Sequence, residues 1–261
     1  MIAMHHDMRL TASIVTYRTD LLELEKVLDL VARSCVEKVF VIDNARQKGV
    51  EDLCARFPGC VYIPSVNRGY GAGHNRAIEK AMQEGARFHL VINSDISFSP
   101  DSLALLAKYM EDNPDVGCLQ PRIVNPLGEL QYTVRRLPAP IDLIGRRFFP
   151  RSLMRGRLDD YELRNVDHSV EFNVPCHQGS FMFLRIDALR KVGLFDERFF
   201  LYGEDIDLTR RIHESYRTMY VPFVTVVHRH RQESYHSLRM LGIHCVNMVR
   251  YFNKWGWFRQ K

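Results

Sequence analysis

Two stretches of the sequence hold residue types and spacings suited to chemistry. The first, "SVNRGYGAGHNRAI" (65–78), carries Gly69, Gly71 and Gly73 between an apolar run and a helical pattern. Glycines there allow positive φ and close approach of a ligand, and a following helix N-terminus attracts an anion. Neither familiar phosphate loop fits. A dinucleotide fingerprint needs a third glycine where His74 stands, and a P-loop needs G-K-[ST] where the chain reads Gly73-His74-Asn75. A dinucleotide, a nucleoside triphosphate, another phosphate-bearing ligand and a ligand-free turn all remain open on these residues alone. The second stretch, "LYGEDIDLTRR" (201–211), opens a helical pattern with Glu204, Asp205 and Asp207. Acids in a first turn favour the helix dipole, which explains one of them but not the whole group.

These residues need elements to position them. "TASIVTY" (11–17), "KVFVIDN" (38–44), "VYIPS" (61–65) and "FHLVINSD" (88–95) are apolar nearly throughout, as strands covered on both faces must be. Leu24, Val27, Leu28 and Val31 mark one helical stripe, and Ile78, Ala81 and Met82 another that stops at Gly85. Ser99-Pro100-Asp101 has the cap, N1 proline and early acid of a third helix. The alternation predicts a mostly parallel α/β sheet, whose ligands bind beyond the carboxyl ends of the strands. Those ends read Thr16-Tyr17, Asp43-Asn44, Ser65-Val66-Asn67 and Asn93-Ser94-Asp95, so polar groups converge there and tip the glycine stretch toward a ligand.

Residues 126–172 change character, with four prolines and eight arginines from Arg135 to Arg164, and read as loops and short helices facing substrate. After them, "GSFMFLRI" (179–186) and "TMYVPFVTVVHRH" (218–230) are strands flanking a helix over 203–215. Length, at 261 residues, allows one large α/β domain or two small ones. A net charge of +5 is too small to argue for nucleic acid. There is no apolar run long enough for a membrane span and no signal-peptide core, and the six cysteines form no C-x-x-C pair. The expectation is a cytoplasmic protein with reduced thiols.

Four stretches in order, "SIVTYRTD", "VIDNA", "NRGYGAGHNRAI" with "LVINSDI", and "GSFMFLRIDALRKVGLFDERFFLYGEDIDLTRR", resemble the glycosyltransferase family 2 enzymes, and look closest to the bacterial rhamnosyltransferase-like branch that builds surface polysaccharides. The resemblance covers about residues 9–235. It implies a GT-A fold, with a nucleotide-sugar half at about 9–125 and an acceptor half at about 126–235, ahead of a basic aromatic helix at 236–261. It implies that Thr16 and Tyr17 meet the nucleotide base and that Asp43 accepts from the N3–H of uracil or thymine. Asn67, Arg68, Gly69 and Asn75 then lie near the nucleotide and sugar, as do Asn93, Ser94 and Asp95. "NSD" departs from the commoner D-x-D, leaving Asp95 as the one carboxylate for a divalent ion, Mg2+ or Mn2+. A histidine after the late strand, His228 first and His230 as the alternative, supplies a second ligand and tilts the choice toward manganese.

In the family the equivalent of Glu204-Asp205 faces the acceptor hydroxyl, and its second residue is the base. The resemblance therefore implies inverting transfer from a dTDP- or UDP-sugar, rhamnose first, to a glycan or polyprenyl-linked saccharide, with the helix dipole keeping Asp205 ionised. A sugar-1-phosphate nucleotidyltransferase is the alternative, but it would need a glycine-rich loop directly after the first strand, where "VTYRTD" has no glycine. A non-catalytic nucleotide-sugar-binding relative is the third reading, against which the retained acids argue. At the C-terminus, Leu238, Leu241, Cys245, Met248, Val249 and Phe252 fall at helical spacing among basic and aromatic residues. That suits either peripheral contact with the inner face of the plasma membrane or a helix docked on its own domain or in a homodimer.

Overall fold

A computed structural model of the protein describes residues 9–142, 149–229 and 238–257. The first four strands are β1 (Leu10–Thr16), β2 (Lys38–Asp43), β3 (Cys60–Pro64) and β4 (Phe88–Ile92). They pair in parallel in the order β3-β2-β1-β4. Helices α1 (Leu21–Ala32), α2 (Val50–Cys54), α3 (Tyr70–Gln83) and α4 (Pro100–Asp112) cover them. One face packs Ile14, Leu90 and Phe181 against Leu24, Leu28 and Leu103, and the other packs Ile42, Val91 and Met182 against Ile78, Ala81 and Leu208. Both faces being buried is the reason these strands read as unbroken apolar runs.

The chain continues through β5 (Ile96–Ser97), β6 (Val116–Val124), β7 (Val134–Arg135), α5 (Arg151–Tyr161), β8 (Phe172–Asn173), β9 (Cys176–His177) and β10 (Phe181–Arg185). It ends with α6 (Ile186–Val192), α7 (Glu204–His213), β11 (Arg217–His228) and α8 (Leu238–Trp255). β10 enters antiparallel between β4 and β6, and β11 runs parallel to β6. One sheet, β3-β2-β1-β4-β10-β6-β11-β5 with β8 on β11, therefore spans both halves of the sequence. β7 and β9 form a separate two-stranded ribbon.

Two expectations change. The glycine stretch is not a loop: Gly69 is the N-cap of α3, and Gly71 and Gly73 lie in its first turn. At Gly69, which has a φ of 108°, a Cβ would fall onto the carbonyl oxygen of Phe200. At Gly71 it would stand 2.8 Å from Phe195 Cβ, and at Gly73 2.7 Å from Val15 Cγ2. The glycines let α3 press against the protein's own chain, β1 on one side and residues 195–200 on the other.

The C-terminal stripe is also rotated from the expected one. Met248, Tyr251 and Phe252 bury themselves with Phe199, while Cys245 and Val249 are exposed. Trp255 Nε1 donates to Asp207 Oδ1 at 2.8 Å, Lys254 pairs with Asp196 and Asp207, and Asn247 Nδ2 donates to Leu201 O at 2.7 Å. The second half of α8 is thus docked behind α7. No described helix is long and apolar enough to cross a membrane.

Candidate active site

The carboxyl ends of β1 to β4 meet as expected, but several side chains assigned to the nucleotide are committed elsewhere. Thr16 is fully buried, its hydroxyl 3.5 Å from Ile42 O, while Tyr17 is exposed. The buried carboxylate of Asp43 accepts from Ala45 N–H at 3.0 Å, Gln47 N–H at 2.6 Å and the Tyr62 hydroxyl at 3.3 Å. Those bonds make it the former of the turn after β2. Asn67 Oδ1 accepts from Gly69 N–H at 3.0 Å and holds the entry to α3. Asn75 is buried, and its amide both donates to and accepts from the Phe195 backbone, each at 2.9 Å. The side chain clamps residues 195–197 onto α3. Arg68 does face open space, where with Arg46, Arg76, Ser65, Val66 and Glu197 it bounds a cavity of about 370 Å³.

Asn93, Ser94 and Asp95 leave β4 in a turn, all half-buried. The antiparallel register of β5 with β11, His228 opposite Ile96, carries His228 to the same place. Arg229 N–H donates to Asp95 O at 3.1 Å, and His228 Nε2 stands 3.4 Å from Asp95 Oδ2. The expected carboxylate and imidazole are therefore together, although 133 positions separate them in the sequence (228 less 95). His230 lies outside the described residues.

Glu204 and Asp205 begin α7, after Gly203 in the left-handed region at a φ of 99°. Glu204 is buried, with Oε2 lacking a hydrogen-bond partner among the described residues. Burial, and then the charge of Asp205, push its pKa well above the usual carboxylate range. Asp205 is more accessible. Its Oδ2 accepts from Gly179 N–H at 3.0 Å and its Oδ1 from Ile206 N–H at 2.8 Å. Burial raises its pKa, and the two N–H donors and the Arg135 charge oppose that rise without cancelling it. Asp207 is support, as expected: fully buried, it accepts from Arg211 Nε at 2.9 Å and from the α8 tryptophan.

Tyr70 completes the arrangement, and sequence reasoning missed it. Its hydroxyl lies 2.8 Å from Asn93 Oδ1 and 2.7 Å from Gly179 O, so its single proton is shared between two acceptors. One phenol therefore ties the end of β4 to the peptide loop that holds Asp205. Burial, followed by the charges of Glu204, Asp205 and Asp95, raises its pKa, so it stays a donor. The signal was present: Tyr70 is the single large side chain in the span from Gly69 to Gly73. Arg135, in the ribbon strand β7, is a second missed contributor through its charge on Asp205. His74 turns inward, its Nδ1 2.7 Å from Ser13 Oγ, and is no part of the ligand-facing surface.

Comparison with known proteins bears on the family and the fold. The sequence model of the family "Glycosyl transferase family 2" matches residues 12–193. An N-acetylglucosaminyl-diphospho-decaprenol L-rhamnosyltransferase of Mycobacterium tuberculosis is 30% identical over 205 residues, 73% of this chain and 66% of the relative. The chain thus spans just under two thirds of that relative's length. Rhamnosyltransferase WbbL of Escherichia coli K12 is 29% identical over 224 residues, 82% of this chain and 81% of the relative. Among solved structures, mannosyltransferase PcManGT from Pyrobaculum calidifontis, in complex with GDP-Man and Mn2+, superposes with a TM-score of 0.63 at 18% identity, over 93% of this chain and 64% of that one. A family match across most of the sequence, on a sheet shared with a GT-A enzyme, carries one conclusion: the chain belongs to glycosyltransferase family 2.

Proposed function

We propose that the protein is an inverting glycosyltransferase that moves a sugar, rhamnose first among candidates, from a nucleoside diphosphate to a glycan or polyprenyl-linked saccharide acceptor. The observation that carries this reading is the Tyr70 bridge, which sets the Asn93–Asp95 turn and the Asp205 carboxylate on two sides of one hydroxyl. In a displacement of this kind the acceptor oxygen forms a bond to the anomeric carbon as the bond to the diphosphate oxygen breaks. The acceptor's proton passes to a carboxylate. Asp205 suits that task better than Glu204, because it is the more accessible acid and two backbone N–H groups fix its orientation. Glu204, buried against it, acts as a neutral neighbour that keeps the pair from carrying two charges.

Asp95 and His228 fit a divalent ion, Mg2+ or Mn2+. A carboxylate and an imidazole are oxygen and nitrogen donors of the right kind, held 3.4 Å apart. No group of three or more His, Cys, Asp or Glu side chains suited to a metal occurs among the described residues, so the other positions would fall to diphosphate oxygens and water. Such an ion, when bound, offsets charge on the departing diphosphate. dTDP and UDP are the favoured donors, and the names of the rhamnosyltransferase relatives support rhamnose and a lipid-linked acceptor. A surface for contact with a membrane carrying that acceptor is the outer side of α8 with the residues just after it, where Val246, Val249 and Trp257 are exposed.

Release of free nucleoside diphosphate from dTDP-rhamnose, measured with a polyprenyl-diphosphate-saccharide acceptor, tests the reading. Turnover that stops in chelator and in Asp95→Ala is expected. Full activity under either condition would remove the metal, and binding of the donor without any acceptor-dependent release would favour a non-catalytic relative.

A further inference from the structure

We infer that Gln131 is a positioning residue for the metal: it fixes the tautomer of His228 so that the lone pair of Nε2 faces Asp95. This rests on the metal reading above and adds a residue to it. The geometry begins in the turn after β6. Asn125 Oδ1 accepts from Leu127 N–H at 2.9 Å and Glu129 N–H at 3.0 Å, and Gly128 takes a φ of 82°. The chain reverses there, Val124 bridges Leu130 antiparallel, and Gln131 N–H donates to Ile123 O at 2.9 Å. Because β6 lies beside β11, with Val124 opposite Val227, the reversal sets Gln131 against His228.

The amide of Gln131 has a defined orientation. Its Nε2 lies 2.8 Å from the backbone carbonyl oxygen of His228, and a carbonyl can only accept, so the amide NH2 is on that side. Oε1 is left facing the imidazole, 3.1 Å from Nδ1. An amide oxygen only accepts, so Nδ1 carries the proton. An imidazole that binds a metal must be neutral and has one such proton, so in the metal-binding form Nε2, 3.4 Å from Asp95 Oδ2, is the nitrogen that carries the lone pair. One glutamine contacts both the backbone and the ring of the same histidine, so it sets the ring's rotation as well as its proton. His228 is 1% exposed, so no bulk water competes for Nδ1. Outer partners of this kind govern the affinity of histidine metal sites.

The test uses the full chain with 15N-labelled histidine. In metal-free protein, long-range 15N–1H correlations are expected to show His228 with its proton on Nδ1. Mn2+ alone is then titrated, and the midpoint of paramagnetic broadening at His228 is read. Gln131→Leu should raise that midpoint about tenfold to a hundredfold. Gln131→Glu keeps an acceptor toward Nδ1 and should stay within a few-fold of wild type. A proton on Nε2 in the metal-free wild type would overturn the role of Gln131 while leaving the metal reading intact. So would an unchanged midpoint in Gln131→Leu with its melting temperature retained. If Gln131→Leu does not fold, a Gln131→Glu midpoint raised more than about a hundredfold over wild type would also overturn it. Absence of any broadening at His228 in the wild type would remove the metal reading itself, and this role with it.

Discussion

If the second half of α8 is part of the core, Phe252→Ala should behave as a core mutation. Phe252 is 4% exposed and packs with Phe199, Met248 and Tyr251, so truncation leaves a cavity on a face that also touches Ile206 of α7. Replacing a buried phenylalanine with alanine costs about 3–5 kcal/mol from lost transfer energy and the unfilled cavity. For a chain of this length each kcal/mol moves the melting temperature by about 2–4 °C, so a fall on the order of 10 °C is expected. Val249→Ala is the control on the same helix. Val249 is 46% exposed, so its truncation should stay within about 0.5 kcal/mol. Calorimetry and denaturant titration of both variants give the comparison. A Phe252→Ala loss below about 1 kcal/mol, indistinguishable from the control, would mean that the helix leaves this face in solution. The docking energy argued here would then be wrong.

Asp205→Asn keeps the side chain's shape, and its one amide oxygen can still accept from Gly179 or Ile206 N–H but not both; it loses basicity, so turnover should fall on the order of 10²–10⁴-fold with donor affinity retained, and near-wild-type turnover would exclude the assignment. Because burial raises the Asp205 pKa, the base form is lost as pH falls through a value above the ordinary carboxylate pKa of about 3.9, and the acid limb of kcat/KM should lie there and vanish in Asp205→Asn. Glu204 binds its proton more tightly folded than unfolded, so it lowers stability increasingly as pH rises above the ordinary carboxylate range. Glu204→Gln should therefore melt higher at neutral pH, lose that advantage in acid, and cost less activity than Asp205→Asn. Among the glycines, Gly73→Ala should destabilise, since its Cβ meets Val15 at 2.7 Å. Gly156→Ala, in open space on α5, should gain about 0.5–1 kcal/mol, and equal melting temperatures for the two would contradict the packing argument.

Much of the frame was legible because burial on both faces writes itself into composition. Every residue of β4 is buried, and its run of apolar side chains, broken only by His89, reads as an interior strand. Helix boundaries were readable where a cap is chemical: Asp20 caps α1 through Leu22 N–H at 2.9 Å. The start of α3 was hidden because glycine weakens every helix signal, and what permits helix there is contact with Val15, Phe195 and Phe200, far away in sequence. The acids of α7 stood out by type and spacing. The proximity of His228 to Asp95 followed from resemblance alone, since its physical cause is the β5–β11 register, which no local pattern reports. Tyr70, Arg135 and Gln131 escaped for a related reason. An aromatic, a cation and an amide are common residue types, and their work here depends on partners from other strands. Asn75 carries a structural bond that no local pattern reports either, since its amide pairs with the backbone of Phe195, 120 positions on.

The docking of α8 also sets an order of events during synthesis. Domains assemble from the N-terminal side as the ribosome delivers them. Strands β1 to β4 and the first four helices can therefore close around their own core early. The acidic helix cannot: Asp207 is held by Lys254 and Trp255, which are translated after every strand of the sheet. Until they arrive, a buried-to-be carboxylate has Arg211 alone, and the apolar side of Phe199 faces water. A nascent chain would thus expose a sticky patch directly beside an unfinished acidic pair. Pausing the ribosome before those codons should lengthen that exposure and hand the patch to chaperones.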